Sequence, residues 1–474
     1  MKKVFSNVIY QSLFQVLTII LPMITIPIVS RALGAEGIGL WGFTNSIVSY
    51  FLLLAGLGMA NYAIREIAYV KNDRDKLSEK FWELQYFNMF FSASVFLVYI
   101  TFFLMTAQHY LYLIQSLMIL GVLFDISWLF QGIEEFKKIA LRKAVIKLFA
   151  ATCIIFLIRT SNDLWVYALI LSASQLVSAI SLWPLVVKHI TFRKVTLKAI
   201  WSHFLPALNF FILKISATIF MNINRTILGV TSTIVMVGYF TTSLQLIIVL
   251  GTITGALNQV MLPRMASLQK EEKEEKFVET LQKTIHIQLF FTVALMFGII
   301  TINEKFVNWF LGAEFYYAKN LIPILAPILV FQQLQQAVAN QFLVPKNEMR
   351  FYNLTMIFGT IINVAISFAL IPFIDAYGAA LGFLLGQLFL MVARTAVMLK
   401  KSPFRFDWLK ILKWVLSGII MFGITWRATR TMPSTAFTTL IQGVVGVFVY
   451  MILTFMLKAN PVYSLLTGKV NRKM

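Results

Sequence analysis

The sequence predicts an all-α polytopic membrane protein with about 14 transmembrane helices. Three observations predict it. Apolar stretches of about 20 residues, long enough to cross a bilayer as a helix, recur along the whole of the 474-residue chain. Hydrophobic residues make up 59% of the chain and charged residues only 13%, more apolar surface than a soluble domain of this size needs. Lys and Arg gather in the short intervals between the apolar stretches, where membrane topology places them.

The first stretch follows MKK and spans 6–29. It is longer than the apolar core of a cleaved signal peptide and has no small-residue cleavage site, so it reads as a retained first helix. Spans then follow at 38–62, 81–105, 112–131, 143–159, 165–186 and 205–230. The charged loop QKEEKEEKF, 269–277, comes after an eighth span at 239–262. Glu272 and Lys276 stand at helical spacing there, so the loop is expected to be a solvated helix linking two bundles. Six further spans follow at 283–303, 321–344, 354–374, 379–399, 411–430 and 436–457. The twelfth carries Gly378, Gly382 and Gly386 in a GxxxGxxxG ladder, which predicts close packing on a neighbouring helix of the same chain.

Charge orients this array. With the N-terminus cytoplasmic, 32 of the 41 Lys and Arg fall in inside segments and 6 outside, and Lys214, Arg225 and Arg394 lie within spans. Basic residues near helix ends resist translocation, so both termini are expected in the cytoplasm. The net charge of +21 forms no single run and does not point to nucleic acid. Cys153 is the one cysteine and the four histidines are scattered, which leaves no disulfide and no metal-ligand cluster. No phosphate-binding glycine loop or nucleophile elbow stands out, so neither a cofactor nor an enzyme is expected. There is no room for an ATPase domain. Any transport then runs on a gradient or on the cargo's own downhill flow.

RALGAEGIGLWGFTNS, from residue 31, has an echo in NRTILGVTSTIVMVGYFTTSLQL, from residue 224. Each places an Arg and a Leu-Gly pair ahead of a Gly-aromatic helix entry, which suggests an internal duplication. The expected organisation is two pseudo-symmetric six-helix lobes, 1–200 and 201–399. Residues 400–474 then supply two extra transmembrane helices and a basic cytoplasmic tail.

Four polar side chains of the seventh span share one face. At 100° per residue Lys214, Thr218, Asn222 and Arg225 fall within about 80° of each other, and the two cations lie roughly 16 Å apart along the axis. A charge facing lipid at mid-depth costs at least about 2.5–3.5 kcal/mol, so this stripe must face protein or water. Snorkelling is the alternative for Arg225, and also the expectation for Arg394. In the fourth span Asp125 is a candidate for binding a coupling cation or proton, for pairing with Lys214, or for a plain interhelical hydrogen bond. The tenth span holds six amides in ten residues, and Gln332, Gln336 and Asn340 share a face. They suit either the lining of a polar path or interhelical bonding.

RALGAEGIG, AGLGMANYAIREIA and DISWLFQGIEEF resemble motifs of the bacterial Wzx-type polysaccharide repeat-unit flippases. That family belongs to the multidrug/oligosaccharidyl-lipid/polysaccharide exporter superfamily, and the resemblance covers nearly the full chain. It implies two six-helix lobes around a central cavity in the bacterial cytoplasmic membrane. It implies a cargo of undecaprenyl-pyrophosphate-linked oligosaccharide, flipped by alternating access for capsule, exopolysaccharide or O-antigen synthesis. A polysaccharide polymerase and a chain-length regulator are implied partners, and H+ or Na+ a candidate coupling ion. By position it makes Arg31 and Arg225 cavity cations and assigns Arg65 and Glu66 to a cytoplasmic gate. Lys214 and Arg225 then have no acid beside them because the pyrophosphate brings the counter-charge. Two rivals stand beside this reading. One is a cation-coupled exporter of the multidrug type, which the cationic stripe disfavours. The other is a membrane glycosyltransferase or polymerase, for which the longest outer loop, 304–320, is short.

Overall fold

The computed structural model describes residues 2–104 and 109–461, with side chains from residue 17 onward except at 137, 212 and 213. Its contacts divide it into two compact units, Met1–Gly229 and Val230–Met474.

In the first unit, helix α1 (Lys2–Gly56) has 55 residues, too many for one crossing, and it breaks at Gly34, whose φ of 66° favours glycine. The chain turns again at Gly58 (φ 71°) before α2 (Met59–Val70). Asp73 caps α3 (Arg74–Phe103) by accepting from the backbone N–H groups of Asp75 and Lys76. The hydrogen bond from the Lys76 backbone is the main cause that holds the Asp73 carboxyl below its ordinary range.

The fourth span is split. Helix α4 (His109–Leu123) stops and α5 (Ser127–Gly132) restarts after an irregular turn. Backbone carbonyls freed inside a membrane must find donors. Gln85 donates to the Leu123 carbonyl at 3.0 Å, Asn88 to that of Val122 at 2.8 Å, and the Trp183 indole to that of Phe124 at 2.9 Å. Three polar residues in apolar surroundings are thus explained by one helix break. Helices α6 (Phe136–Leu157), α7 (Leu164–Ile180), α8 (Trp183–Val186), α9 (Leu197–Trp201) and α10 (Phe204–Thr231) complete the unit. Its largest buried side chains include Phe81, Phe87, Trp128 and Phe130, gathered from α3 and α5.

The second unit opens with α11 (Ile234–Lys270) and α12 (Glu274–Phe310). A 3-10 turn at Ala313–Tyr317 and α13 (Ala318–Leu325) follow. The axis bends by 45° into α14 (Ile328–Val338), which ends in a π-helical turn over Ala339–Leu343. Helix α15 (Met349–Lys401) is really two spans, broken at Ile374 and at Asp375, whose φ is 45°. Asp375 accepts a hydrogen bond of 2.5 Å from Ser232 at this break.

The expected glycine ladder packs within α15 itself. A Cβ on Gly378 would lie 2.6 Å from the Ile371 nitrogen, and one on Gly382 would lie 2.0 Å from the Ser367 hydroxyl. Helices α16 (Trp408–Thr429) and α17 (Ala436–Met456) dock on α12. Tyr450 donates to the Phe290 carbonyl at 3.1 Å, Trp309 donates to Thr439 at 2.7 Å, and Gly418 admits the Phe297 ring.

Among the described residues, nine helices are long and apolar enough to cross a membrane, or eleven when each bent pair counts as one span. Splitting α1 and α15 at their breaks adds two. Helix α6, whose first half carries Lys138, Arg142, Lys143 and Lys147, adds one more and brings the total to fourteen. The all-α fold of about 14 helices therefore stands.

Three local expectations change. The 269–277 loop is not a continuous helix: the chain turns at Glu272, φ 55°, where no helical pair with Lys276 forms. Lys273 pairs with Glu271 and Lys346 with Glu274 instead. Arg394 does not snorkel. It is 2% exposed, because Gln335, Thr355 and the Tyr352 carbonyl accept its hydrogen bonds inside the second unit. Asp125 sits in the α4–α5 turn rather than within a helix. Contacts group most of α10 with the first compact unit. The expected basic tail lies largely outside the described residues.

Candidate functional site

The polar stripe of the seventh span is carried by α10. The span as a whole, α9 with α10, bends by 52° between Leu197–Phe211 and Lys214–Thr231. The first segment is pinned where Gly58 meets it: a Cβ there would stand 2.5 Å from the Phe211 nitrogen and 2.6 Å from the Ala207 carbonyl. The second segment is pinned at Gly229, where a Cβ would stand 2.0 Å from the Phe43 ring. Only glycine permits such an approach at either end.

Between these pins the stripe is linked along its length. Asn222 donates its side-chain amide to the Thr218 carbonyl at 2.9 Å, and Arg225 donates to the Asn222 side-chain oxygen at 3.5 Å. Thr226 meets α1 through the Ser46 hydroxyl at 2.9 Å and the Tyr50 hydroxyl at 3.0 Å. Tyr50 is also an electrostatic neighbour of Arg225. Thr218, Asn222 and Arg225 are all half-buried.

Among the described residues the Arg225 guanidinium has no carboxylate within 4.0 Å, and its buried Nε finds no acceptor. Lys214 opens the segment beyond the bend and is exposed, likewise with no ion-pair partner among the described residues. A cation without a counter-charge, held among neutral hydroxyl and amide groups, is a ready partner for an anion.

The other expected residues are placed as follows. Arg31 is exposed on α1, three residues before the Gly34 break. Arg65 and Glu66 lie on α2 and pair with each other at 3.0 Å. The Arg65 guanidinium also lies 5.4 Å from the Tyr62 ring centre and 5.3 Å from that of Phe210, which ties α2 to α10. Asp125 accepts from the backbone N–H and the hydroxyl of Ser127, both at 3.0 Å, and so starts α5.

In the second unit the six amides separate into two groups. Gln333, Gln335 and Gln341 are buried and bonded. Gln341 donates to Asn258 at 2.9 Å and accepts from Thr284 at 2.5 Å, Gln333 accepts from Gln288 at 3.5 Å, and Gln335 holds Arg394. Gln332, Gln336 and Asn340 are half-buried. One amide set is thus glue, and the set singled out by spacing is the one left accessible.

Sequence spacing overlooked Ser46 and Tyr50. Both belong to the apolar second span, and only the close approach at Gly229 brings them to Thr226.

Known proteins agree on fold and family. A solved structure of the lipid II flippase MurJ in an inward closed conformation matches with a TM-score of 0.75 and 14% identity, covering 96% of this chain and 98% of that one. An inward-facing multidrug resistance transporter of the MATE family, in the MOP superfamily, matches with a TM-score of 0.59 and 15% identity over 88% of this chain and 98% of that one. The fold is therefore that of the multi-pass flippases and exporters. The polysaccharide biosynthesis protein family model matches residues 4–269, and the chain belongs to that family. A putative O-antigen transporter from Escherichia coli K12 is 23% identical over 387 residues, 80% of this chain and 92% of its own length. Another from Shigella dysenteriae is 20% identical over 293 residues, 60% of this chain and 71% of its own length. The protein is a multi-pass membrane protein of polysaccharide biosynthesis, with a flippase fold and transporter relatives.

Proposed function

We propose that this protein flips undecaprenyl-pyrophosphate-linked oligosaccharide across the bacterial cytoplasmic membrane by alternating access. It acts as a transporter, not an enzyme. The observation that carries the reading is the half-buried Arg225, whose Nε finds no acceptor and which has no carboxylate within 4.0 Å among the described residues. A pyrophosphate supplies the missing charge through short charge-assisted hydrogen bonds, which strengthen where water is excluded. Lys214 on the same helical face offers a second cation, and Arg31 a third. Thr218 and Asn222 between the cations, with Gln332, Gln336 and Asn340 in the second unit, offer neutral donors and acceptors suited to sugar hydroxyls. The lipid tail stays in the bilayer while the head crosses. Arg65 and Glu66 serve the cytoplasmic gate. Two six-helix lobes, 1–200 and 201–399, carry the motion, and both termini lie in the cytoplasm. The pathway is capsule, exopolysaccharide or O-antigen synthesis, with a polymerase and a chain-length regulator downstream.

The test replaces Lys214 and Arg225 singly by Ala. A charge-assisted hydrogen bond contributes about 1.5–3 kcal/mol, so each variant should lose roughly ten- to a hundredfold in affinity for undecaprenyl pyrophosphate. Polymer output should fall in a strain that lacks the native gene, with membrane abundance unchanged by immunoblot. Normal output from both variants would remove the cations from the mechanism.

A further inference from the structure

Buried titratable groups are rare in a membrane bundle because each must be satisfied internally. The first unit nonetheless buries three in a row. Tyr62 on α2 is 3% exposed, His203 ahead of α10 is 3% exposed, and Glu83 on α3 is 6% exposed. The Tyr62 hydroxyl lies 2.6 Å from His203 Nδ1, and His203 Nε2 lies 3.1 Å from Glu83 Oε2. Lys80 holds the same carboxylate oxygen.

A neutral imidazole has one donor and one acceptor nitrogen. It fits here when Tyr62 donates to Nδ1 and the Nε2–H donates to Glu83. Three helices then meet at one ring. From α3 the charged neighbours are Glu83 and Lys80, and from α2 they are Glu66 and its partner Arg65. These four cancel, so the cluster is electrically balanced while His203 is neutral.

We propose that Tyr62, His203 and Glu83 form a single-proton site that holds the first segment of α10 when empty and loosens it when filled. A proton from solution would bind Nδ1, the only ring nitrogen with a free lone pair. The Nδ1–H must then donate to the Tyr62 oxygen, so the Tyr62 hydroxyl loses its acceptor, and the cluster gains one uncompensated positive charge. Burial opposes both changes. The cheapest relief is hydration of the ring, and His203 lies within Leu197–Phe211, the segment that ends at the 52° bend before Lys214. The site is thus one arm of a bent helix whose other arm carries the cationic stripe. The functional consequence, acid-sensitive passage of cargo, rests on the lipid-linked cargo proposed above.

Hydrogen exchange of the purified full chain tests the site without any cargo. Exchange over 197–211, corrected for the intrinsic pH dependence, should rise several-fold between pH 7.5 and pH 5.5 in the wild type. The His203→Gln variant, which cannot take up a proton, should show no such rise. Glu83→Gln removes the carboxylate that favours the imidazolium, and should move the transition to lower pH. A wild-type segment indifferent to acid, or an equal rise in His203→Gln, would overturn the proposal. Translocation of undecaprenyl pyrophosphate in proteoliposomes separates the two readings. Translocation whose pH profile flattens in His203→Gln supports both. An acid transition without translocation by the wild type at either pH sinks the cargo and leaves the proton site standing.

Discussion

At the scale of single residues, two arginines inside apolar helices have opposite fates. Arg394 and Arg225 look alike in sequence, since each is a cation inside a span that contains no acid. Arg394 is saturated by Gln335, Thr355 and the Tyr352 carbonyl, with its guanidinium 4.5 Å from the centre of the Tyr352 ring. Among the described residues Arg225 donates a long bond to Asn222 and keeps a buried Nε without an acceptor. Removing Arg394 strands its acceptors and leaves a hole. Arg394→Ala should therefore cost about 2–4 kcal/mol, seen as a lower Tm in detergent. Arg225→Gln strands no carboxylate and should leave Tm nearly unchanged while export falls. Equal Tm losses in the two variants would show that Arg225 is structural too. Charge in an apolar stretch was readable from the sequence and singled out Arg225, Lys214 and the face they share. The acceptors that neutralise Arg394 come from α14 and α15, a tertiary fact that no local spacing encodes. The His203 site was hidden for the same reason. Its members are 141 and 120 residues apart in pairs, and each alone is an ordinary residue near the end of a span.

At the scale of elements, glycine decides which helices approach closely, because lipid offers no hydrophobic drive for helices to pair. Gly378 and Gly423 make a controlled contrast. A Cβ on Gly378 meets backbone atoms, 2.6 Å from the Ile371 nitrogen and 2.7 Å from the Leu370 carbonyl carbon, which cannot turn aside. A Cβ on Gly423 of α16 meets nothing within 4 Å. Gly378→Ala should cost about 1–3 kcal/mol through overpacking, whereas Gly423→Ala should be neutral or gain up to about 1 kcal/mol of helix propensity. Thermal unfolding of the two variants in the same detergent is the comparison, and a stabilised Gly378→Ala would refute the packing account. The GxxxGxxxG ladder announced this contact from sequence, and the ends of most spans were also legible from apolar length and charge. The interruptions were not. The break at 124–126, the bend within the seventh span and the π-turn at Ala339–Leu343 each fall inside a stretch whose apolar length reads as a single span. Hydropathy reports depth in a membrane, not helix continuity.

At the scale of the whole molecule, the distribution of charge makes the strongest claim still open to measurement. In the proposed orientation, which rests on the bias of 32 basic residues to 6, both termini and the α2–α3 and α11–α12 turns face the cytoplasm. The side matters to both proposals, since Arg65, Glu66 and the His203 cluster would then respond to the cytoplasm, from which the proposed cargo is loaded. The single cysteine makes the question simple to answer. In a Cys153→Ser background, Asn72→Cys and Lys276→Cys report the two turns, while Asn162→Cys and Thr431→Cys report the opposite face, and all four positions are exposed. In intact cells a membrane-impermeant maleimide should label the second pair and reach the first only after permeabilisation. Because fourteen spans fix the two faces relative to each other, one reversed pair would invert every assignment at once. The cationic stripe would survive such an inversion, but its access for loading would have to be sought from the other leaflet.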